Sequence, residues 1–259
     1  MNTNKIKCNF SFRHYNEILK MAKSLGYEFC FFSETPDKKN KKLYLRHDVD
    51  FSLEAALRLA KIDKMNGVYS TFFIRFGSPF YNLFDFNQSK IIKKIIDLGH
   101  QVGLHFDERC IGSQKTQATI EDEVMRQLKI LKKYFNIKNI ISFHYPSRFI
   151  FNKNFGVDKF KSTYSAQFFS EIKYLSDSRG IWKDGCACKL LTSKNLPENL
   201  QLLMHGEWWG TKGNDPNEIL TYNLKEKLEY LDKNFAFDTK VYKPGSLYKT
   251  FKKNINGIF

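Results

Sequence analysis

Acids and histidines follow four short apolar segments of this sequence, and their types suit hydrolytic chemistry. The segments read KLYLRHDVD, HQVGLHFDE, IISFHYP and LQLLMHGEWW, and each has the composition of a β-strand that ends in polar side chains. Where the strands of an α/β fold run parallel, their carboxyl ends meet at one face, and active sites form there. We therefore expect a metal-assisted or acid/base-assisted hydrolase site made from Asp48, Asp50, His105, Asp107, His144 and His205.

Two pairs of these side chains stand two residues apart, Asp48 with Asp50 and His105 with Asp107. Alternate side chains of a strand share one face, so the members of each pair should project together. Neighbouring carboxylates ionise together only if a cation shares their charge, and either Arg46 or a divalent metal ion could do so. Imidazole and carboxylate together suit zinc or a similar ion. The spacing favours a functional site, with a salt-bridged acidic turn as the alternative.

Two further histidines are predicted to be structural. His100 precedes His105 by five residues, which at the rise of an extended strand places it roughly 16 Å away, at the opposite end. His14 lies on an amphipathic helix predicted over residues 11–25 and is expected at the surface or at the edge of the core.

The elements that must position the site alternate between strand and helix patterns from residue 42 to residue 144. This alternation predicts βαβ units and a parallel sheet. The second half is less regular, until Asp215 begins a last helix that runs to about Phe235. We predict one domain over residues 1–259, with an N-terminal helical extension over about 1–40 and a basic C-terminal tail over about 243–259.

The composition is strongly basic, with a net charge of +15 from 42 basic and 27 acidic side chains. Such a charge would favour an anionic partner, but lysine dominates and no block of five basic residues occurs, which favours a lysine-covered surface. The sequence has no signature of a nucleic-acid-binding module, so we expect no nucleic-acid partner.

The five cysteines are an odd number without CxxC spacing, which predicts neither a disulfide framework nor a thiolate zinc site. Cys186 and Cys188 could pair or bind a metal ion. The first residues lack the apolar core of a signal peptide, and no apolar run approaches the length of a transmembrane segment, so we expect a cytoplasmic protein.

Taken together, the segments resemble the polysaccharide deacetylase superfamily, metal-dependent enzymes that remove N-acetyl or O-acetyl groups from glycans. In the order of the family's five motifs, the similar segments are RHDVD, GHQVGLHFDE, HYP, YLSDSRGIW and LLMH, and they span residues 44–209. The resemblance implies an α/β fold, a distorted or incomplete (β/α) barrel.

The resemblance also implies roles for individual residues. Asp48 would be the general base, His205 the general acid and Asp177 the residue that orients the acid. Asp50, displaced by one residue from the family's adjacent pair, would bind the metal ion with His105. Arg109 stands where the family has its second metal histidine, and a histidine replaces the arginine of the third motif. The remaining ligand could come from either of two side chains, His144 or Asp107.

The implied activity is hydrolysis of a carbon–nitrogen bond other than a peptide bond. It would remove an acetyl group from an N-acetylated or O-acetylated sugar or glycan precursor in surface polysaccharide biosynthesis. The implied cofactor is zinc, with cobalt or nickel as alternatives, and the partner is a carbohydrate that could be acidic or nucleotide-linked. The residues expected to contact substrate are Arg109, Pro146, Arg148, Arg179, Trp182, Trp208 and Trp209. For the adjacent Trp208 and Trp209, the alternative is that they cap the core.

Three alternative functions stay open at this stage. The first is a glycan-binding protein of the same fold whose metal site is degraded. The second is a hydrolase that acts on a small cyclic amide, and the third is a basic nucleic-acid binder. The sequence indicates neither the sugar nor the oligomeric state.

Overall fold

The computed structural model describes residues 8–36, 39–113, 115–151, 155–213 and 215–246. Two compact units are distinguished, Met1–Asn214 and Asp215–Phe259. The predicted organisation as one domain stays a prediction, and most of the predicted basic tail lies outside the described residues. In the described part of the chain, every helix is too short or too polar to span a lipid bilayer.

The first unit holds eight described strands and six described helices. The strands are β1 (Glu28–Phe29), β2 (Lys42–Val49), β3 (Thr71–Arg75), β4 (Gln101–Asp107), β5 (Ile140–His144), β6 (Lys161–Ser162), β7 (Lys173–Ser176) and β8 (Asn199–Met204). The helices are α1 (Phe12–Ser24), α2 (Leu53–Met65), α3 (Phe86–Asp97), α4 (Gln117–Leu131), α5 (Ala166–Phe169) and α6 (Ala187–Leu191). In the second unit, α7 (Pro216–Asp238) begins after the N-cap residue Asp215.

All of these strands pair in parallel in one sheet with the order β6-β5-β4-β3-β2-β8-β7, and β1 adds to the beginning of β2. Helices connect the strands from β2 to β5, as parallel pairing requires. The end strands β6 and β7 do not pair with each other in the described structure, so the sheet curls without closing. The predicted fold class, an incomplete (β/α) barrel, is confirmed.

The central strand β2 shows how the sequence places charged groups on the concave face of the sheet. Leu43 and Leu45 pack in the outer core with α1 and α2, whereas Tyr44 faces the opposite way and packs among other aromatic rings. Since side chains alternate along a strand, the inner face continues with polar residues toward the carboxyl end. These residues are Arg46, Asp48 and, directly after the strand, Asp50.

The connection from β2 to α2 is short because a helix cap follows the strand at once. Ser52 is the N-cap residue, and its side chain accepts a hydrogen bond from the backbone N–H of Ala55. Serine is among the residues that most favour this capping position. It leaves Asp50 just beyond the end of β2, on the rim of the sheet.

Candidate active site

Asp50, His105 and His144 meet at the carboxyl ends of β2, β4 and β5. Asp50 Oδ1 lies 3.1 Å from His105 Nε2 and 2.9 Å from His144 Nδ1. The two ring nitrogens lie 3.2 Å apart. Three potential ligand atoms from the ends of three strands of one sheet therefore form a compact triangle.

The orientation of His105 is set by a hydrogen bond from its other ring nitrogen. His105 Nδ1 lies 3.3 Å from the carbonyl oxygen of Ser142, which can only accept, so Nδ1 carries the proton. With a metal ion bound, Nε2 would then present its lone pair to that ion. Backbone contacts of this kind orient metal-ligating histidines in proteins.

This triangle fits a divalent metal ion. Tetrahedral zinc with nitrogen and oxygen ligands at about 2.1 Å separates those ligands by about 3.4 Å, a few tenths of an ångström more than the distances between these atoms. Asp50 Oδ1 is buried, yet it accepts no hydrogen bond of good geometry from the described residues. Burial alone would raise the pKa of Asp50, but the contacts with both histidines hold that pKa well below its ordinary value.

Asp48 lies one layer deeper and is paired with an arginine. Arg46 donates from Nε to Asp48 Oδ1 at 2.9 Å and from Nη2 to Oδ2 at 2.7 Å, and the Ser142 hydroxyl donates to Oδ2 at 3.0 Å. Burial would raise the pKa of Asp48, but Arg46 lowers it to about 2. The first carboxylate is thus balanced by arginine, whereas the second, Asp50, faces the histidines.

A second dyad, His205 with Asp177, borders the same pocket. His205 Nδ1 lies 2.7 Å from Asp177 Oδ1, and Asp177 also accepts hydrogen bonds from the backbone N–H of His205 and from Trp209 Nε1. Burial would lower the pKa of His205, but Asp177 raises it to about 10. His205 is therefore a cation at neutral pH, held by a buried carboxylate.

These groups line one open pocket. Its floor contains Asp48, Asp50, His105, His144 and His205, and its walls include Phe51, Tyr145, Pro146, Arg179 and Trp208.

Two residues of the pocket wall have unusual backbone conformations. Tyr145 and Arg179 adopt positive φ angles of 49° and 62°, which side-chain-bearing residues rarely do. The Arg179 guanidinium lies 5.8 Å from the centre of the exposed Tyr145 ring. Strained residues of this kind often occur at ligand-binding sites.

Only some of the residues predicted to contact substrate line the pocket. Pro146, Arg179 and Trp208 line the pocket. Arg109 lies beside Tyr145, with its guanidinium 5.9 Å from the ring centre. Arg148 is exposed away from the pocket lining, and Trp182 packs against the core instead.

The prediction that both Trp208 and Trp209 contact substrate is wrong for Trp209. Its side chain is 0% exposed and packs against Tyr15 and Phe10 in the outer core. Its indole N–H donates to Asp177 at 2.9 Å. A ring enclosed in this way cannot stack on a sugar.

Asp107 corrects the prediction of the ligand set. Its carboxylate pairs with Arg75 at 2.9 Å and with Arg109 at 2.6 Å. Burial would raise the pKa of Asp107, but the hydrogen bonds from Arg109 lower it to about 2. Because Asp107 pairs with two arginines, its carboxylate is not part of the ligand triangle. The third potential ligand is His144.

Several described residues of the site are absent from the sequence-based prediction, including Ser142, Tyr164 and Phe51. Ser142 contacts Asp48 from β5, and Tyr164 lies against the Arg46 guanidinium, 4.8 Å from its ring centre. Phe51 forms a wall of the pocket. Ser142 stands two residues before His144, so the alternation of β5 could have indicated it.

No protein-family model matches the chain, and no curated protein sequence matches it. Solved structures similar to it include a mutant of BA3943 from Bacillus anthracis, a CE4 family pseudoenzyme with restored enzymatic activity. That match has 14% identity and a TM-score of 0.47, and it covers 77% of this chain and 67% of the other.

Two further solved structures are similar in the same way. The chitin deacetylase of Colletotrichum lindemuthianum has 18% identity and a TM-score of 0.43, with 71% of this chain and 81% of the other covered. A family 4 carbohydrate esterase from Bacillus anthracis has 15% identity and a TM-score of 0.42, with 86% and 90% covered. They belong to the family that the sequence motifs resemble. Because identities and TM-scores are low, the likeness assigns no role to any residue.

Proposed function

We propose that this protein is a metal-dependent hydrolase that removes an acetyl group from an N-acetylated or O-acetylated sugar or glycan precursor. The observation that carries the proposal is the buried oxygen of Asp50, which faces two histidine nitrogens at 3.1 and 2.9 Å without a hydrogen bond of good geometry. A role in surface polysaccharide biosynthesis and a cytoplasmic location stay predictions from the sequence.

In this proposal Asp50, His105 and His144 hold the metal ion. Zinc, cobalt or nickel bound there would supply Lewis-acid chemistry, by polarising the acetyl carbonyl and making water more acidic. Three protein ligands leave a position open for substrate and water, as in catalytic zinc sites.

Asp48 is the proposed proton acceptor. The Arg46 pair keeps it ionised across the neutral range and fixes the direction of its two oxygens. A carboxylate with a pKa of about 2 is a weak base. It can therefore take a proton only from water that is already acidified.

His205 is the proposed proton donor. As the C–N or C–O bond breaks, the departing amine or alkoxide needs a proton, and an imidazolium on the other side of the pocket can supply it. Asp177 holds the ring by Nδ1, which leaves Nε2 to donate. The products are acetate and the free amine or hydroxyl of the sugar.

The walls of the pocket suit a carbohydrate with an acidic group. The faces of Phe51, Tyr145 and Trp208 are apolar surfaces on which a sugar ring can lie. Arg179 borders the same space, and Arg109 also lies beside the Tyr145 ring. Their charges would attract a uronic acid or a nucleotide-linked sugar.

The test combines metal analysis with acetate release. The purified protein should bind divalent metal and release acetate from N-acetylated oligosaccharides or nucleotide-linked sugars. Asp50→Asn should lose that metal, and Asp48→Asn should abolish acetate release with the fold unchanged by circular dichroism. Asp107→Asn is the matched control, because this strand-end carboxylate lies outside the triangle.

Two results would contradict the proposal. The first is no metal in this triangle, with no activity after zinc or cobalt is added. The second is sugar-dependent quenching of tryptophan fluorescence without acetate release from any substrate, which would support the glycan-binding alternative.

A further inference from the structure

A second group of metal-ligand side chains lies in the outer core, apart from the pocket. One ligand atom from each of Cys8, His14, Cys186 and Cys188 falls within 4.8 Å of every other. His14 Nε2 lies 3.2 Å from Cys186 Sγ. We propose that these four residues form a structural zinc site with three cysteine ligands and one histidine ligand.

The ligand types and spacing match those of closed zinc sites. Zinc binds cysteine sulfur at about 2.3 Å and histidine nitrogen at about 2.0 Å, so tetrahedral ligands stand about 3.5–3.8 Å apart. The ligand atoms lie no more than 4.8 Å apart, so the longest separations would shorten by up to about 1 Å on zinc binding. Four protein ligands leave no position for substrate, which distinguishes this site from the triangle at Asp50.

The backbone around the cluster is fixed by other interactions. Residues just after Cys8 are held by three backbone hydrogen bonds, from Phe10 to Gly213, from Phe12 to Gly210 and from Gly210 back to Phe10. His14 is in the first turns of α1, and Cys186 is the N-cap residue of α6. Three ligands are buried and Cys8 is exposed, so an ion could enter from the side of Cys8.

The second nitrogen of His14 supports a ligand role. His14 Nδ1 is buried without a hydrogen bond in the described residues, and Glu17 Oε2 lies 3.6 Å away. A carboxylate behind the imidazole orients metal-bound histidines in many zinc sites. If this distance shortened slightly on metal binding, the Nδ1–H group of His14 would donate a hydrogen bond to the Glu17 carboxylate.

The site would connect the N-terminal segment to the residues that hold His205. The ring of His14 stacks on Trp209 with ring centres 6.3 Å apart, and Trp209 donates its indole N–H to Asp177. Zinc therefore fixes Cys8 and α1 against α6, one layer behind the His205–Asp177 dyad. Structural zinc sites stabilise folding directly, so its loss should lower the melting temperature.

The test measures metal content in the full chain. If both sites bind, the protein should contain two equivalents of metal, and Cys188→Ser should lose one while His144→Ala loses the other. With cobalt in place of zinc, the wild-type protein should show thiolate-to-cobalt charge-transfer absorption. This absorption should disappear in Cys188→Ser and persist in His144→Ala. Cys30→Ser is the matched control, because Cys30 is a buried cysteine outside the cluster.

A second measurement on the wild-type protein covers the case in which Cys188→Ser does not fold. Titration of the thiols with an organomercurial should release one zinc ion, detected with a chromogenic chelator, as the three cluster cysteines react. No release, or no charge-transfer absorption with cobalt, would overturn the proposal. A disulfide between Cys186 and Cys188 or Cys8, found by mass spectrometry of the purified protein, would also overturn it. Failure of the triangle at Asp50 alone would leave this site intact, so the two proposals are tested separately.

Discussion

Asp177 is a buried carboxylate at which three N–H groups converge, two from His205 and one from Trp209. Replacement by Asn leaves one oxygen for these donors and removes the negative charge. Burial lowers the pKa of His205, and in the variant the charge of Asp177 no longer opposes this effect. In Asp177→Asn we expect the pKa of His205 to fall well below about 10 and kcat for acetate release to fall by roughly 10²–10⁴.

An NMR titration of the His205 ring measures the pKa directly, and a pH–rate profile measures its effect on activity. Asp107→Asn serves as the control, since that carboxylate pairs with arginines and does not touch His205. An unchanged pKa of His205 in Asp177→Asn would show that Asp177 does not set its protonation.

At the scale of residues, the sequence indicates most groups that line the floor of the pocket, because each follows a strand. It does not indicate which of the adjacent Trp208 and Trp209 lines the pocket and which is buried in the core. A 3₁₀ turn over Gly206–Trp208 separates them from β8, so the alternation of the strand no longer applies. The sequence also predicts His14 at the surface or at the edge of the core. In the structure His14 is buried beside Cys186, and a contact between residues so distant in sequence leaves no local pattern.

At the scale of elements, Gly103 in β4 lets the backbone of β5 and the ring of Phe73 approach β4 closely. A Cβ at this position would lie 2.5 Å from the carbonyl oxygen of Ile140 and 2.8 Å from the ring of Phe73. The oxygen belongs to the backbone of a neighbouring strand and cannot move cheaply. We expect Gly103→Ala to lower the free energy of unfolding by roughly 1–3 kcal/mol, the usual cost of overpacking.

Urea unfolding followed by circular dichroism would measure this change. Gly77→Ala is the matched control, because a Cβ there meets no atom within 4 Å and Gly77 has no positive φ. Equal unfolding midpoints for the two variants would mean that β4 tolerates a side chain at residue 103.

The regular elements follow from periodicity, and the short ones do not. The alternation from β2 to β5 is read correctly because each of these strands has five or more residues and three long helices connect them. β6 has two residues and α5 has four, too few to show a period.

At the scale of the whole molecule, the fold class follows from the order of elements, whereas the pairing of charges inside the sheet does not. Arg46 and Asp48 share the concave face with Gln201 and Ser142, which come from strands far along the chain. The sequence shows that a cation must balance the carboxylates. Only the three-dimensional arrangement shows that arginine balances one carboxylate and that the other faces the histidines.

The buried charges of the site should also set how the stability of the whole molecule depends on pH. The pKa of His205 is raised from 6.5 to about 10 in the folded state, so its contribution to stability is complete below pH 6.5 and is lost as pH rises through about 10. The pKa of Asp48 is lowered from 3.8 to about 2, so its contribution is complete above pH 3.8 and is lost as pH falls through about 2. We therefore expect His205→Gln to remove part of the alkaline decline in melting temperature. Its effect on the acid decline should be smaller, because Arg46 contributes more than His205 to the low pKa of Asp48. Melting curves of the wild-type protein and the variant, measured across the pH range at one fixed metal content, would test this. Other groups that titrate near pH 10 are common to both proteins, so the difference between the curves reports on His205. Parallel alkaline declines in the two proteins would show that His205 is not a buried cation held by Asp177.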